Sequence, residues 1–155
     1  MKTLVIGLGN PILGDDGVGW KVVEKLSTAI SQQSSVEVDT AALGGLSLME
    51  RLIGYERVII VDSMETGQSP VGSVSVFPLA SLPDPMAGHS ASAHDATLIT
   101  ALRTAEQLGA DIPRQIDIVA IEAENVYDFS EELSHPVAAA VPLAVEKIIE
   151  LLNRE

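Results

Sequence analysis

The sequence predicts an α/β fold: a three-layer arrangement with a twisted, five-stranded, mostly parallel sheet, one antiparallel edge strand, and helices on both faces. Three observations lead there. Short β-branched apolar runs alternate with segments of helical periodicity along the whole chain. Most of those runs are apolar throughout, which marks strands buried on both faces. Strands separated by helices pair in parallel through crossovers that cover the sheet.

The elements follow in order. TLVIG (Thr3 to Gly7) is a buried strand bounded by glycine. From Val18 the apolar positions Val22, Leu26 and Ile30 recur at helical spacing. VEVDT (Val36 to Thr40) is a second strand. LSLMERLIG sets Leu46, Met49 and Ile53 on one helical face, with Gly54 as its C-terminal stop. RVIIVD (Arg57 to Asp62) is the strongest strand and is expected to end at its acid. GSVSVFP (Gly72 to Pro78) alternates serine with valine between prolines, the pattern of an edge strand with one wet face. A long stretch rich in Pro, Gly, Ser and Ala follows, from Pro78 to Ala93; structureless loops of this size tend to be functional or mobile. HDATLITALRTAEQLG carries Leu98, Leu102 and Ala105 at helical spacing and closes at Gly109. QIDIVAIE (Gln115 to Glu122) is the fifth strand. A last helix is expected from Val137 to about Leu152, with Pro142 either kinking or starting it.

Composition narrows the function. A length of 155 residues suits one domain, 1–155, and 46% hydrophobic residues argue against disorder. No apolar run reaches the roughly 18 residues that span a bilayer, so no membrane insertion is expected. Met1 and Lys2 lead directly into a strand without a signal segment. The absence of cysteine excludes disulfides, thiolate metal sites and a thiol nucleophile. Together these point to the cytoplasm. A net charge of −13 makes nucleic-acid binding a poor reading. It is more consistent with metal-centred chemistry or a basic protein partner.

The stretch VIGLGNPILGDDGVGW, from Val5 to Trp20, carries the first candidate site. Gly7 and Gly9 match the start of a dinucleotide fingerprint, but Ile12 stands where its last glycine belongs. Pro11 lacks an amide for a phosphate, and Asp15 and Asp16 would repel one at the helix start. No nucleotide cofactor is expected. Acids in a first helical turn also cap amides, the role expected of Asp15. Ligands of open parallel sheets bind beyond the carboxyl ends of the strands. Asp16 follows strand one, Asp62 ends strand three, and the long loop after strand four delivers His94, with His89 a rival in the same loop. Each has an ordinary structural reading, as a cap or a turn. Two carboxylates and one imidazole at one rim also make a metal site with open positions, suited to Zn, Ni, Mn or Fe(II). Such a site polarises a carbonyl and activates water.

At these residues the sequence resembles a known family. LVIGLGNPILGDDGVG, VIIVD ending at Asp62, SAHDATL around His94, and the final IEAE…ELSHPVAAAV are similar to the hydrogenase maturation endopeptidases, in order and over nearly the whole chain. The resemblance implies an endopeptidase that removes the C-terminal extension of a nickel–iron hydrogenase large-subunit precursor after nickel insertion. It implies the same sheet, and a metal-contacting and catalytic trio falling on Asp16, Asp62 and His94. Many relatives have Glu at the first of these positions. Nickel is the implied metal, supplied by the precursor or held by the enzyme. Relatives often show Asp-Gly-Gly after strand two; here Asp39 precedes TAALGG, so its implied role in substrate contact is shifted. Two alternatives stand beside this reading. One is a non-catalytic nickel-sensing chaperone of the immature subunit. The other is a peptidyl-tRNA hydrolase, which shares the Gly-Leu-Gly-Asn-Pro opening; the histidine that should follow shortly afterwards is missing from ILGDDGVG.

Overall fold

A computed structural model describes residues 2–30, 35–42, 44–81 and 93–154, excepting the side chains of 93–97. Strands β1 (Thr3–Leu8), β2 (Val36–Ala41), β3 (Arg57–Met64), β4 (Val74–Pro78) and β5 (Gln115–Glu122) form one sheet in the order β2-β1-β3-β5-β4. The first three and β5 run parallel, and β4 lies antiparallel against β5. Composition explains the order. TLVIGL, RVIIVDSM and QIDIVAIE occupy the interior and are largely buried, whereas VEVDTA and VSVFP lie at the edges and are partly exposed.

Helices α1 (Val18–Ala29) and α4 (His135–Asn153) cover one face, and α2 (Gly45–Leu52) and α3 (Ala93–Gln107) the other. Strand alternation sorts the core accordingly. Val5, Ile59, Val61 and Ile121 pack toward α1 and α4; Leu4, Ile6, Ile60 and Ile118 pack toward α2 and α3. Each such side chain, fully buried, contributes about 1.5–3 kcal/mol. Leu98, Leu102 and Ala105 of α3 are buried as their spacing requires.

Three elements differ from expectation. α2 buries another face: Leu46 is 63% exposed and Ile53 lies past the helix end, while Leu48, Met49 and Leu52 are buried. In so short a helix two apolar stripes overlap, and packing against the sheet and α3 selects one. α4 starts at His135, with Pro136 in the first turn, where a missing amide costs nothing. Pro142 therefore sits inside the helix rather than starting it, on the exposed side, where water can satisfy the carbonyl left without an amide partner. β3 runs two residues past Asp62. Most of the Pro78–Ala93 loop, including His89, lies outside the described residues. Among the described residues no helix is long and apolar enough to cross a membrane.

The connections define where a site belongs. From β1 the chain passes through α1 to β2 on one side, then returns through α2 to β3 on the other side of β1. The switch point thus lies between β1 and β3, at their carboxyl ends, where open parallel sheets leave a crevice for ligands.

Candidate active site

The turn after β1 closes around a carboxylate. Gly9 has a φ of 129°, and the backbone carbonyl of Asp16 fills the space a Cβ there would need. The Asn10 side-chain oxygen accepts the Ile12 amide at 3.1 Å, and the Asn10 amide donates to Asp16 Oδ2 at 2.8 Å. The Gly-Asn-Pro run is thus a frame for Asp16 at a 3-10 turn, Gly14–Gly17, that leads into α1.

β3 supplies the second carboxylate. Asp62 is fully buried within the strand, because pairing with β5 continues through Ser63 to Met64 opposite Glu122. By alternation Asp62 shares the face of Ile60 and Ser63 that of Val61. Asp62 Oδ1 accepts the Ser63 amide at 2.8 Å, and the Ser63 hydroxyl donates to Asp16 Oδ1 at 3.0 Å. The two acids are therefore tied through one residue at the switch point. Ser63 was not singled out from sequence; its only signal is its place directly after the acid.

His94 is the second residue of α3, and its side chain lies outside the described residues. The far end of α3 is fixed near the start of β3: the Gly54 amide donates to the Asp111 carbonyl at 3.2 Å, and the Arg114 amide to the Glu56 carbonyl at 2.9 Å. The 15 residues of α3 span about 22 Å, close to the length of the strands beneath. Its first turn is therefore directed to the carboxyl-end rim. Among the described side chains, which exclude that of His94, no group of three metal-ligating residues stands together.

Asp15 does not cap its helix, contrary to expectation. Neither the 3-10 turn nor α1 has a side-chain cap. Asp15 is fully buried, and its carboxylate accepts the amides of Glu124 (3.2 Å), Asn125 (3.1 Å) and Ser134 (2.7 Å) and the Ser134 hydroxyl (2.8 Å). Burial of a charge requires such partners. Asp15 thus clamps the β5–α4 loop onto the turn after β1. Glu122 secures the β3–β4 connection likewise, accepting the Thr66 amide (2.9 Å), the Thr66 hydroxyl (2.6 Å) and the Gly67 amide (3.0 Å). These contacts join residues far apart in sequence and leave no local pattern to read.

Asp39 lies in β2 opposite Ile6 and pairs with Arg51 Nε at 2.9 Å. Arg51 also donates to the Tyr55 hydroxyl at 3.0 Å, and Tyr55 donates in turn to Glu37. That hydrogen bond, with help from Lys2, holds the Glu37 carboxyl below its ordinary pKa. Asp39 thus belongs to a surface network with α2, separate from the Asp16–Ser63–Asp62 chain of hydrogen bonds.

Residues 20–151 match the family model described as hydrogenase maturation protease. This chain belongs to that family. The match takes in Asp39, Asp62 and His94 and begins just past the turn that carries Asp16. A hydrogenase 2 maturation peptidase from a Thaumarchaeota archaeon is 30% identical, with a TM-score of 0.69 and 100% of both chains covered. The hydrogenase maturating endopeptidase HybD of Escherichia coli, at 23% identity, shares the fold with a TM-score of 0.83 over 98% of this chain and 92% of that one. The hydrogenase expression/formation protein HupD of Rhizobium leguminosarum is 24% identical over 152 residues, which cover 98% of this chain and 74% of the relative. As a hydrogenase maturation protease the chain is a processing peptidase. Peptide hydrolysis needs an activated water and a polarised carbonyl, and carboxylates held at a sheet rim can serve the first need.

Proposed function

We propose that the protein removes the C-terminal extension from the large-subunit precursor of a nickel–iron hydrogenase after nickel insertion, using Asp16, Asp62 and His94. The observation that carries this reading is the pairing of Asp16 and Asp62 through Ser63 at the switch point of a hydrogenase maturation protease.

The donor chemistry fits nickel: two carboxylates and an imidazole offer oxygen and nitrogen without thiolate. In this proposal nickel belongs to the precursor, which presents it to these residues. When bound, it supplies Lewis-acid polarisation of the scissile carbonyl. Asp16 is held at both carboxylate oxygens, by the Asn10 amide and the Ser63 hydroxyl, so its position is set before substrate arrives. A carboxylate so held can accept a proton from water as its oxygen forms the new C–O bond. It can return that proton to the leaving amine as the C–N bond breaks. The reaction then closes with one new carboxyl group and one new amine, and no nucleotide cofactor is consumed.

Mass spectrometry of a nickel-loaded precursor incubated with the protein tests this reading. A shortened C-terminus is the expected result. A stable complex with the precursor mass unchanged would instead indicate a nickel-sensing chaperone.

A further inference from the structure

We propose that the β5–α4 loop is a docking surface for a basic, apolar-bearing segment of the precursor beside its cleaved bond; this rests on the function proposed above. The chain is poor in aromatics, with one Trp, two Tyr and two Phe. Two of these five, Tyr127 and Phe129, are 77% and 85% exposed, and both stand in this loop. Aromatic rings of this kind usually bury most of their area, and where they stay exposed together they mark an interaction surface.

The loop is held in place. Asp15 binds both of its ends through Glu124, Asn125 and Ser134. In its middle, the Gly14 amide donates to the Ser130 carbonyl at 2.8 Å and the Ser130 amide to the Ile12 carbonyl at 2.9 Å. Gly14 has a φ of 56°, and the Asn125 carbonyl lies 2.5 Å from where its Cβ would stand. The aromatic pair is thus displayed from a rigid frame, which spares a partner the ordering cost of a loose loop. Ile12, 47% exposed, belongs to the same frame and to the turn that presents Asp16, so the apolar surface adjoins the candidate active site.

Charge selects the occupant. Glu124, Asp128, Glu131 and Glu132 are exposed around the aromatics, and no Lys or Arg occurs between Ala123 and Ser134. Carboxylates around apolar rings repel nucleic acid and anionic membranes and attract Lys and Arg borne on a peptide. The rings add apolar burial and cation–π contact.

Steady-state processing of nickel-loaded precursor by Tyr127→Ala/Phe129→Ala and by Glu131→Lys/Glu132→Lys tests the proposal. Both pairs are exposed, so thermal midpoints should match wild type. The aromatic pair should raise KM about tenfold or more with kcat unchanged. The charge reversal should raise KM at low salt, with a smaller effect at high salt. Wild-type cleavage with KM unchanged in both variants would overturn the docking surface while leaving the protease reading intact. A fall in kcat at constant KM would also overturn it. Failure of the wild type to cleave would overturn both.

Discussion

Ser63 joins the two acids of the rim: its amide donates to Asp62 at 2.8 Å and its hydroxyl to Asp16 at 3.0 Å. One residue inside β3 thereby sets the position of a carboxylate that arrives on a different element. A hydrogen bond to a charged group contributes about 1.5–3 kcal/mol. Ser63→Ala should therefore slow single-turnover cleavage roughly tenfold or more. An unchanged rate would show that Asp16 is positioned without it.

Asp15 is a clamp, and its removal should cost more than loss of a cap. A lost helix cap destabilises by about 1 kcal/mol. Stripping several buried donors of a shared carboxylate costs about 3–5 kcal/mol. Asp15→Ala should fall in the second range when unfolding is followed in urea. A loss in the first range would mean that the four hydrogen bonds are weakly coupled to folding.

Gly9→Ala should disturb stability and cleavage together. The backbone there is left-handed, and Asp16 occupies the space a methyl group would take. Strain of this kind costs about 1–3 kcal/mol. The relief available is movement of Asp16 itself. Thermal unfolding and single-turnover assays on one sample check both effects, and a variant that loses stability but cleaves normally would separate Gly9 from Asp16.

The surface network around Tyr55 gives a pH prediction. The Tyr55 hydrogen bond, followed by Lys2, lowers the pKa of Glu37. A carboxylate depressed on folding adds stability that is present above its unfolded pKa. That stability is lost as pH falls through the folded one. This contribution is therefore intact at neutral pH and disappears in the acid range. Tyr55→Phe should bring the Glu37 pKa back up toward its ordinary value, read by NMR of the side-chain carboxyl carbon. A pKa that does not move would remove Tyr55 as the cause.

Much of the architecture was legible in the sequence. β1, β3 and β5 are rich in β-branched residues, and burial on both faces leaves unbroken apolar runs in β1 and β3. The α3 face at Leu98, Leu102 and Ala105 was legible because its period matches burial. The edge place of β4 near Pro78 was legible too, but its alternation does not sort burial, since Val76 is 39% exposed. The α2 face was not, because eight residues hold too few turns to separate two stripes. Of the two readings of Pro142, the helix start fails, because α4 begins at His135 and Pro142 lies inside it on the exposed side. At the rim, Asp16 and Asp62 could be nominated from their places after strands. The work of Asp15 could not, since its partners lie 109 to 119 residues away. Ser63 was hidden because a serine after an acid ordinarily signals a turn, and here the strand continues.

The central claim is that Asp16, Asp62 and His94 together carry the cleavage. The most direct measurement is the mass of a nickel-loaded hydrogenase large-subunit precursor after incubation with wild type, Asp16→Asn, Asp62→Asn and His94→Ala. The wild type should yield the shortened subunit, and each variant should leave the precursor at full length over the same interval. Processing by all three variants at the wild-type rate would contradict the assignment.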